Sequence, residues 1–184
     1  MWKKSLAALC LAMLGSSAMA AEPIVVTFDD VPSYYHGWSL PDGYGGATDW
    51  RGYLRSNASV AVSGRNYVHG GRIEVSFDKD INFIGAYYNS WGGASGGYSF
   101  ELFSGGNLVF QGPADDGSDC CALKWVASTY QGAVDKVVFY GSSDGAVIDN
   151  FTYTVAAVPE PESYAMLVAG LGMMGAIARR RKMA

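Results

Sequence analysis

Hydrophobic and polar residues alternate in short runs over residues 22–157, and this stretch has no convincing apolar face at the 3.6-residue period of a helix. From Arg72 to Phe77, for example, apolar Ile, Val and Phe alternate with Arg, Glu and Ser, which predicts a strand with one buried and one solvated face. The same reasoning predicts the strands Ile24–Phe28, Ser59–Ser63, Arg72–Phe77, Asn82–Tyr88, Tyr98–Phe103, Asn107–Gln111, Ala122–Ala127, Lys136–Tyr140 and Val147–Thr154.

Turn-forming residues separate these runs. Glycine pairs and Asp-Gly steps favour tight turns, and they predict chain reversals at 70–71, 78–80, 92–97, 105–106, 115–117 and 144–145. The stretch Val31–Asn57 is rich in Gly, Tyr and Trp and lacks alternation, so it predicts an ordered loop against the strands. Eight or nine short strands within residues 21–157 predict one all-β domain, an antiparallel β-sandwich of jelly-roll type.

The N-terminus has the layout of an export signal. Met1–Lys4 carries positive charge, Ser5–Leu14 is apolar, and Ala18–Ala20 offers small residues at a cleavage site for signal peptidase. Residues 1–20 are therefore predicted to be a signal peptide, removed after Ala20. The apolar run is too short for a membrane span, and Cys10 sits inside that run instead of at its end, unlike a lipoprotein cysteine.

The C-terminus combines three segments. Val158–Ser163 is polar and proline-rich and predicts a stiff non-helical linker. Tyr164–Ala178 is uncharged, and Arg179–Lys182 is basic. As a helix the uncharged segment extends roughly 22 Å, short of the roughly 30 Å hydrocarbon core unless flanking residues snorkel. We expect a single transmembrane helix over 164–178 with the basic tail 179–182 in the cytoplasm.

This order of segments resembles the PEP-CTERM sorting signal of Gram-negative bacteria over residues 158–182. The resemblance implies an inner-membrane-anchored precursor that an exosortase, an integral-membrane cysteine transpeptidase, cuts near the motif; contact with the inner membrane would be transient. The product would then be secreted or reach the cell surface, in hosts that typically make exopolysaccharide or biofilm matrix. The alternative is a plain tail anchor. Under the resemblance, recognition falls to Pro159, Glu160 and Pro161, and the stop-transfer role to Arg179, Arg180 and Arg181.

The frame of the predicted domain carries a second resemblance. Thr27–Asp30 opens it with Phe-Asp-Asp, and Val147–Phe151 closes it with Ile-Asp-Asn. This frame is similar to that of many PEP-CTERM cargo domains and of jelly-roll carbohydrate-binding modules, which implies a jelly-roll cargo domain.

Composition excludes two classes of protein. Of the 184 residues, 49% are hydrophobic, 14% aromatic and 16% charged, unlike a disordered chain. A sequence pI near 5.0 argues against a basic nucleic-acid-binding module. Residues 22–157 hold seven basic and fifteen acidic residues, a net charge of −8. We therefore expect no nucleic-acid partner.

Motifs of catalysis are not found in the sequence. The two histidines, His36 and His69, belong to no metal or triad signature, and no serine lies in a Gly-x-Ser-x-Gly elbow. We predict a non-catalytic protein, with a glycan-active enzyme as the weaker alternative. The adjacent Cys120 and Cys121 predict either a strained disulfide in a turn or two free thiols.

Calcium is a candidate ligand because hard cations take oxygen donors, which an acidic exported domain has in quantity. Asp29, Asp30 and Asp149 would meet if the first and last strands pair, and they are the predicted structural Ca²⁺ ligands. A second acidic loop, 115–119, departs from the EF-hand spacing. The alternative is that these aspartates stabilise turns.

Aromatic residues suggest glycan binding. Residues 22–157 contain 23 Trp, Tyr and Phe, whose apolar faces can stack on sugar rings while their polar edges stay hydrated. The predicted platform is Trp38, Trp50, Tyr88 and Trp91, with core packing as the alternative for each. The sequence thus predicts an exported protein that binds exopolysaccharide; the alternative is a structural protein that self-associates through sandwich edges.

Overall fold

The computed structural model describes residues 21–32, 37, 39–91, 97–115, 122–142, 145–156 and 161–182. Within them the chain forms strands, one short 3-10 turn at Tyr44–Gly46 and a C-terminal helix. The elements are β1 (Ile24–Val26), β2 (Asp49–Ser56), β3 (Asn66–Ser90), β4 (Phe100–Ser104), β5 (Asn107–Gln111), β6 (Lys124–Ala127), β7 (Val134–Tyr140), β8 (Ala146–Val155) and α1 (Pro161–Lys182).

Every strand pairing in the described chain is antiparallel. The strands follow the order β1-β8-β3-β7-β4-β5, and β2 and β6 also pair with β3. The all-β antiparallel class predicted from the alternation is therefore confirmed.

The long strand β3 folds this sheet into two layers. Two parts of it, 68–70 and 81–90, both pair with β8, so Ile148 has Val68 on one side and Tyr88 on the other. Its middle, 72–76, pairs instead with β7. The β7 layer consists of the strands β7, β4 and β5, the middle of β3, and the residues of β2 that pair with that middle, 49–51. The remaining strand segments, with β1 and β6, form the β8 layer.

Glycines sit where the chain passes from one layer to the other. The β2–β3 register shifts between Arg51 and Tyr53, at Gly52, where an added Cβ would lie 2.5 Å from Val68 Cγ1. In β3 the passage falls at Gly70 and Gly71. Strands that change sheets commonly bend at such bulges. The reversal predicted at 70–71 is thus a bend within a continuous strand.

Aromatic rings from both layers fill the space between them. Phe83 of the β8 layer packs 5.1 Å from Phe100 and 6.0 Å from Phe139 of the β7 layer. Trp50, only 2% exposed, meets Phe151 edge-on at 5.5 Å. Each such ring removed from water contributes about 2–3 kcal/mol, so these inter-layer contacts hold the sandwich closed.

Several predicted boundaries are corrected by the structure. Arg72–Phe77 and Asn82–Tyr88 are parts of β3, and the chain stays extended through 78–80, where a turn was predicted. Ser59–Ser63 is a loop instead of a strand. Asp49–Ser56, placed in the long loop, forms β2; Trp50 and Leu54 face the core, and the bulge at Gly52 breaks the simple alternation. The other predicted strands agree within a few residues.

The C-terminal helix begins earlier than predicted. It starts at Pro161 and covers residues 164–178. Proline fits the first position of a helix, because the N–H that it lacks would have no partner in the first turn. In the described part of the chain, no helix is long and apolar enough to cross a membrane. The predicted signal peptide, 1–20, lies outside the described residues and stays a prediction.

Candidate functional site

A surface groove of about 310 Å³ opens where β2 and β3 pass between the layers. Its position follows from the fold, because the bend leaves glycine backbone at the surface with no side chain above it. An added Cβ at Gly71 would meet nothing within 4 Å, and the Gly71 carbonyl is held in place by the Gly141 N–H at 2.9 Å. The groove is lined by Ser39, Arg51, Gly52, Tyr53, Gly70, Gly71 and Arg72.

Two guanidinium groups border the groove, and carboxylates orient both. Arg51 Nε lies 3.2 Å from Asp49 Oδ2, and Arg51 Nη1 lies 3.9 Å from Glu74 Oε1. Arg72 Nε lies 3.3 Å from the same Glu74 oxygen. The arginine side chains remain 69% and 49% exposed, so remaining N–H groups can still reach a ligand. Two positive and two negative charges make this corner electrically balanced.

Aromatic rings continue from the groove over the β8 layer. Tyr53 is 52% exposed and is the cross-strand partner of His69. The His69 ring lies 5.7 Å from the ring of the half-buried Trp91. Trp91 is held by its backbone, since its N–H donates to the Gly145 carbonyl at 3.2 Å and its carbonyl accepts from Ser142 Oγ. The groove and the row Tyr53, His69 and Trp91 therefore form one surface.

The other predicted glycan residues are not on this surface. Trp50 is 2% and Tyr88 3% exposed, so neither ring can stack on a sugar, and their assignment to a platform is wrong. Trp50 Nε1 donates to the Tyr44 carbonyl at 2.9 Å, and the Tyr88 hydroxyl donates to the Tyr140 carbonyl at 2.6 Å. Burial raises the pKa of Tyr88. Trp38 lies outside the described residues.

The sequence analysis missed three groove residues: Arg51, Tyr53 and Arg72. The apolar residues Trp50 and Leu54 flank Arg51 and Tyr53, as in a strand with one buried face. The bulge at Gly52 shifts the alternation, so the strand could not be recognised from the pattern. It also missed Trp125, which is 42% exposed and packs edge-on against Tyr87 at 5.4 Å. That ring covers Gly85, a common way to protect a strand glycine.

Two of the three predicted calcium ligands meet at the loop 62–66. Asp149 is fully buried, and its carboxylate accepts N–H donors from Val62 at 2.8 Å, Ser63 at 3.1 Å and Asn150 at 2.7 Å. Asp29 accepts the N–H groups of Arg65 at 2.8 Å and Asn66 at 3.0 Å. We call this pair the two-aspartate clamp.

The clamp uses its oxygens for the loop. Burial raises the pKa of Asp149, although the three N–H donors act in the opposite direction. Asp30 instead accepts the Tyr44 hydroxyl at 2.5 Å. Within the described ranges, no group of three or more His, Cys, Asp or Glu side chains is arranged to hold a metal ion. The structure thus does not gather Asp29, Asp30 and Asp149 into one group, because the loop takes up the carboxylates of Asp29 and Asp149 while Asp30 bonds Tyr44, and the calcium site stays a prediction. Of the second acidic loop, 116–119 lies outside the described residues.

Comparison with known proteins bears on the C-terminus. Residues 157–182 match the family model of the PEP-CTERM protein-sorting motif, which confirms the resemblance inferred from Pro159, Glu160, Pro161 and the basic tail. The match supports an exported protein that an exosortase sorts. No curated protein and no solved structure matches the chain.

Proposed function

We propose that the β-domain of this exosortase substrate binds exopolysaccharide at the groove, without catalysing a reaction on it, and that the mature protein resides at the cell surface or in the secreted matrix. The observation that carries the proposal is the juxtaposition of an exposed phenol ring, Tyr53, with two oriented guanidinium groups, Arg51 and Arg72, over bare glycine backbone.

The chemistry of the groove suits a polyhydroxyl ligand. Sugar rings present apolar C–H faces, which Tyr53 can cover, and hydroxyls, which guanidinium donors and carboxylate acceptors can bind. The arginine and carboxylate side chains already contact one another, so less of their conformational freedom is lost on binding. Because the groove is charge-balanced and residues 22–157 carry −8, an uncharged polysaccharide is favoured over an anionic one.

Self-association through sandwich edges is less well supported. Natural sheets protect their edges by shortness, charge or bulges, and each edge strand shows one of these. The strand β1 has three residues and β6 has four, beginning with Lys124. The strand β2 carries Asp49, Arg51 and Arg55, and the β4–β5 register shifts at Val109. A structural matrix protein remains the second candidate, and its sign would be concentration-dependent sedimentation without glycan.

The test uses residues 21–156, which contain every strand and the whole core cluster. The domain would be run through native gels containing dextran, laminarin, hydroxyethylcellulose, alginate or the host's own exopolysaccharide. We expect an uncharged polymer or the host polymer to retard it, and Tyr53→Ala to abolish the retardation. Tyr98→Ala is the matched control, because Tyr98 is also exposed, at 37%, but lies outside the groove.

Unretarded migration in every gel would overturn the proposal and leave the structural alternative. Equal loss in both tyrosine variants would also count against the groove. Trp91→Ala extends the test, since a weaker retardation would show that the ring row continues the binding surface.

A further inference from the structure

The outer side of the β7 layer carries polar side chains on both sides of the buried Val138, and their row starts at the groove. Strand register places Arg51 opposite Glu74, Glu74 opposite Val138, Val138 opposite Glu101, and Glu101 opposite Gln111. The row therefore crosses β2, β3, β7, β4 and β5 at right angles to the strands. We call the four polar positions, Arg51, Glu74, Glu101 and Gln111, the polar row; Val138 lies between Glu74 and Glu101 and is buried.

The four polar side chains lie on the outer side of the layer because of the strand alternation, while Val138 between them is fully buried. The neighbouring residues Val75, Val137 and Leu102 are buried in the core, and successive side chains of a strand point to opposite faces. With adjacent strands about 4.8 Å apart, five strands span about 19 Å. This length exceeds what a single small ligand in the groove would use.

Hydrogen bonds and ion pairs connect the row from end to end. Gln111 Nε2 donates to Glu101 Oε1 at 3.0 Å, and the Tyr140 hydroxyl donates to Glu101 Oε2 at 2.6 Å. Arg72 lies over the Tyr140 ring, 5.6 Å from its centroid, and pairs with Glu74 at 3.3 Å. Burial and the Glu101 carboxylate raise the pKa of Tyr140 to about 12, so its hydroxyl stays a donor at neutral pH.

We infer that the polar row extends the groove into a multi-unit binding face, across which one uncharged polysaccharide chain lies perpendicular to the strands, from Tyr53 to Gln111. The path offers guanidinium donors at Arg51 and Arg72, carboxylate acceptors at Glu74 and Glu101, and the Gln111 amide, all of which can bind the hydroxyls of a sugar chain. With Asp49, which pairs with Arg51, and Glu101, these side chains carry a net charge of −1, which again disfavours an anionic polymer. This inference rests on the proposed function and adds the length and direction of the ligand.

The test measures affinity against ligand length. Cello-, laminari- and isomalto-oligosaccharides of increasing length would be titrated into residues 21–156. We expect affinity for the bound series to rise with chain length until the row is filled. Gln111→Ala is expected to weaken the longest oligosaccharide by about fivefold while leaving the disaccharide unchanged, and Tyr53→Ala to weaken both.

Gln131→Ala is the matched control, because Gln131 is an exposed glutamine outside the five strands. Affinity independent of chain length, or an unaltered long-chain affinity in Gln111→Ala, would overturn the extended face while leaving groove binding intact. Binding of no oligosaccharide in any series would overturn the inference. Loss of the gel retardation of the polymers as well would overturn the proposed function with it.

Discussion

Asp149→Ala tests the two-aspartate clamp most directly. The wild-type carboxylate is fully buried and accepts three backbone N–H groups, two of them from the loop that follows β2. Alanine removes the acceptor and leaves those donors without it. We expect the variant to fold with a substantially lower free energy of unfolding.

The magnitude follows from these three bonds. Burial raises the pKa of Asp149, so the carboxylate's desolvation offsets part of its gain from charged hydrogen bonds. A value of about 1 kcal/mol per bond is then appropriate, or about 3 kcal/mol in all. The Val62 residue is 42% exposed, so the loop there lies near solvent and we expect the loss to stay near this value.

Urea unfolding followed by tryptophan fluorescence measures the loss. Trp50 is 2% exposed and so reports the opening of the core. Asp42→Ala is the control, since Asp42 is exposed in the turn before Tyr44. If Asp149→Ala lowers the free energy of unfolding by less than about 1 kcal/mol, which a single ordinary hydrogen bond contributes, the clamp does not hold the loop as argued.

Three further predictions follow from the clamp and the sorting motif. Gly64→Ala should cost about 1–3 kcal/mol in urea unfolding, because Gly64 has φ +53 and an added Cβ would overlap the Asp29 carboxyl group; an unchanged midpoint would contradict this. The raised pKa of Asp149 means that the folded state holds this proton more tightly than the unfolded state does. The free energy of unfolding of wild type, relative to that of Asp149→Asn, should therefore rise as pH falls from neutrality toward about 4. A constant difference across that range would refute this prediction. Replacing Glu160 by Ala should make uncut precursor accumulate in membrane fractions on immunoblots, and normal processing would show that the motif's glutamate is dispensable to the exosortase.

The class of fold was predictable from local sequence, whereas its path was not. Alternation such as that of Ile73, Val75 and Phe77 depends only on which face is buried, so it predicted strands well. Whether β3 turns at 78–80 depends on the partners it finds, since Ile81 pairs with both Val134 and Val155. Distant pairing overrode the local turn signal of Asp78 and Asp80.

The candidate site was less predictable for the same reason. Asp29 and Asp149 were expected to meet, and they do, but the sequence does not show that the loop 62–66 supplies N–H donors to both. Tyr88 and Trp50 matched the aromatic pattern, yet exposure is set by which layer covers a residue. The sorting motif is recognisable from sequence alone, because its segments are contiguous in the chain and need no distant partner.

The pairing of the first strand with the last also bears on how the protein is exported. Ile24 lies opposite Tyr153, and the Tyr153 hydroxyl donates to the Gly45 carbonyl at 2.7 Å. The first strand therefore finds its partner only when the chain is free to pair as far as Tyr153, close to the residues that match the sorting motif. Contacts this distant in sequence make folding slow, so the sheet cannot close before residues next to the sorting motif are free to pair.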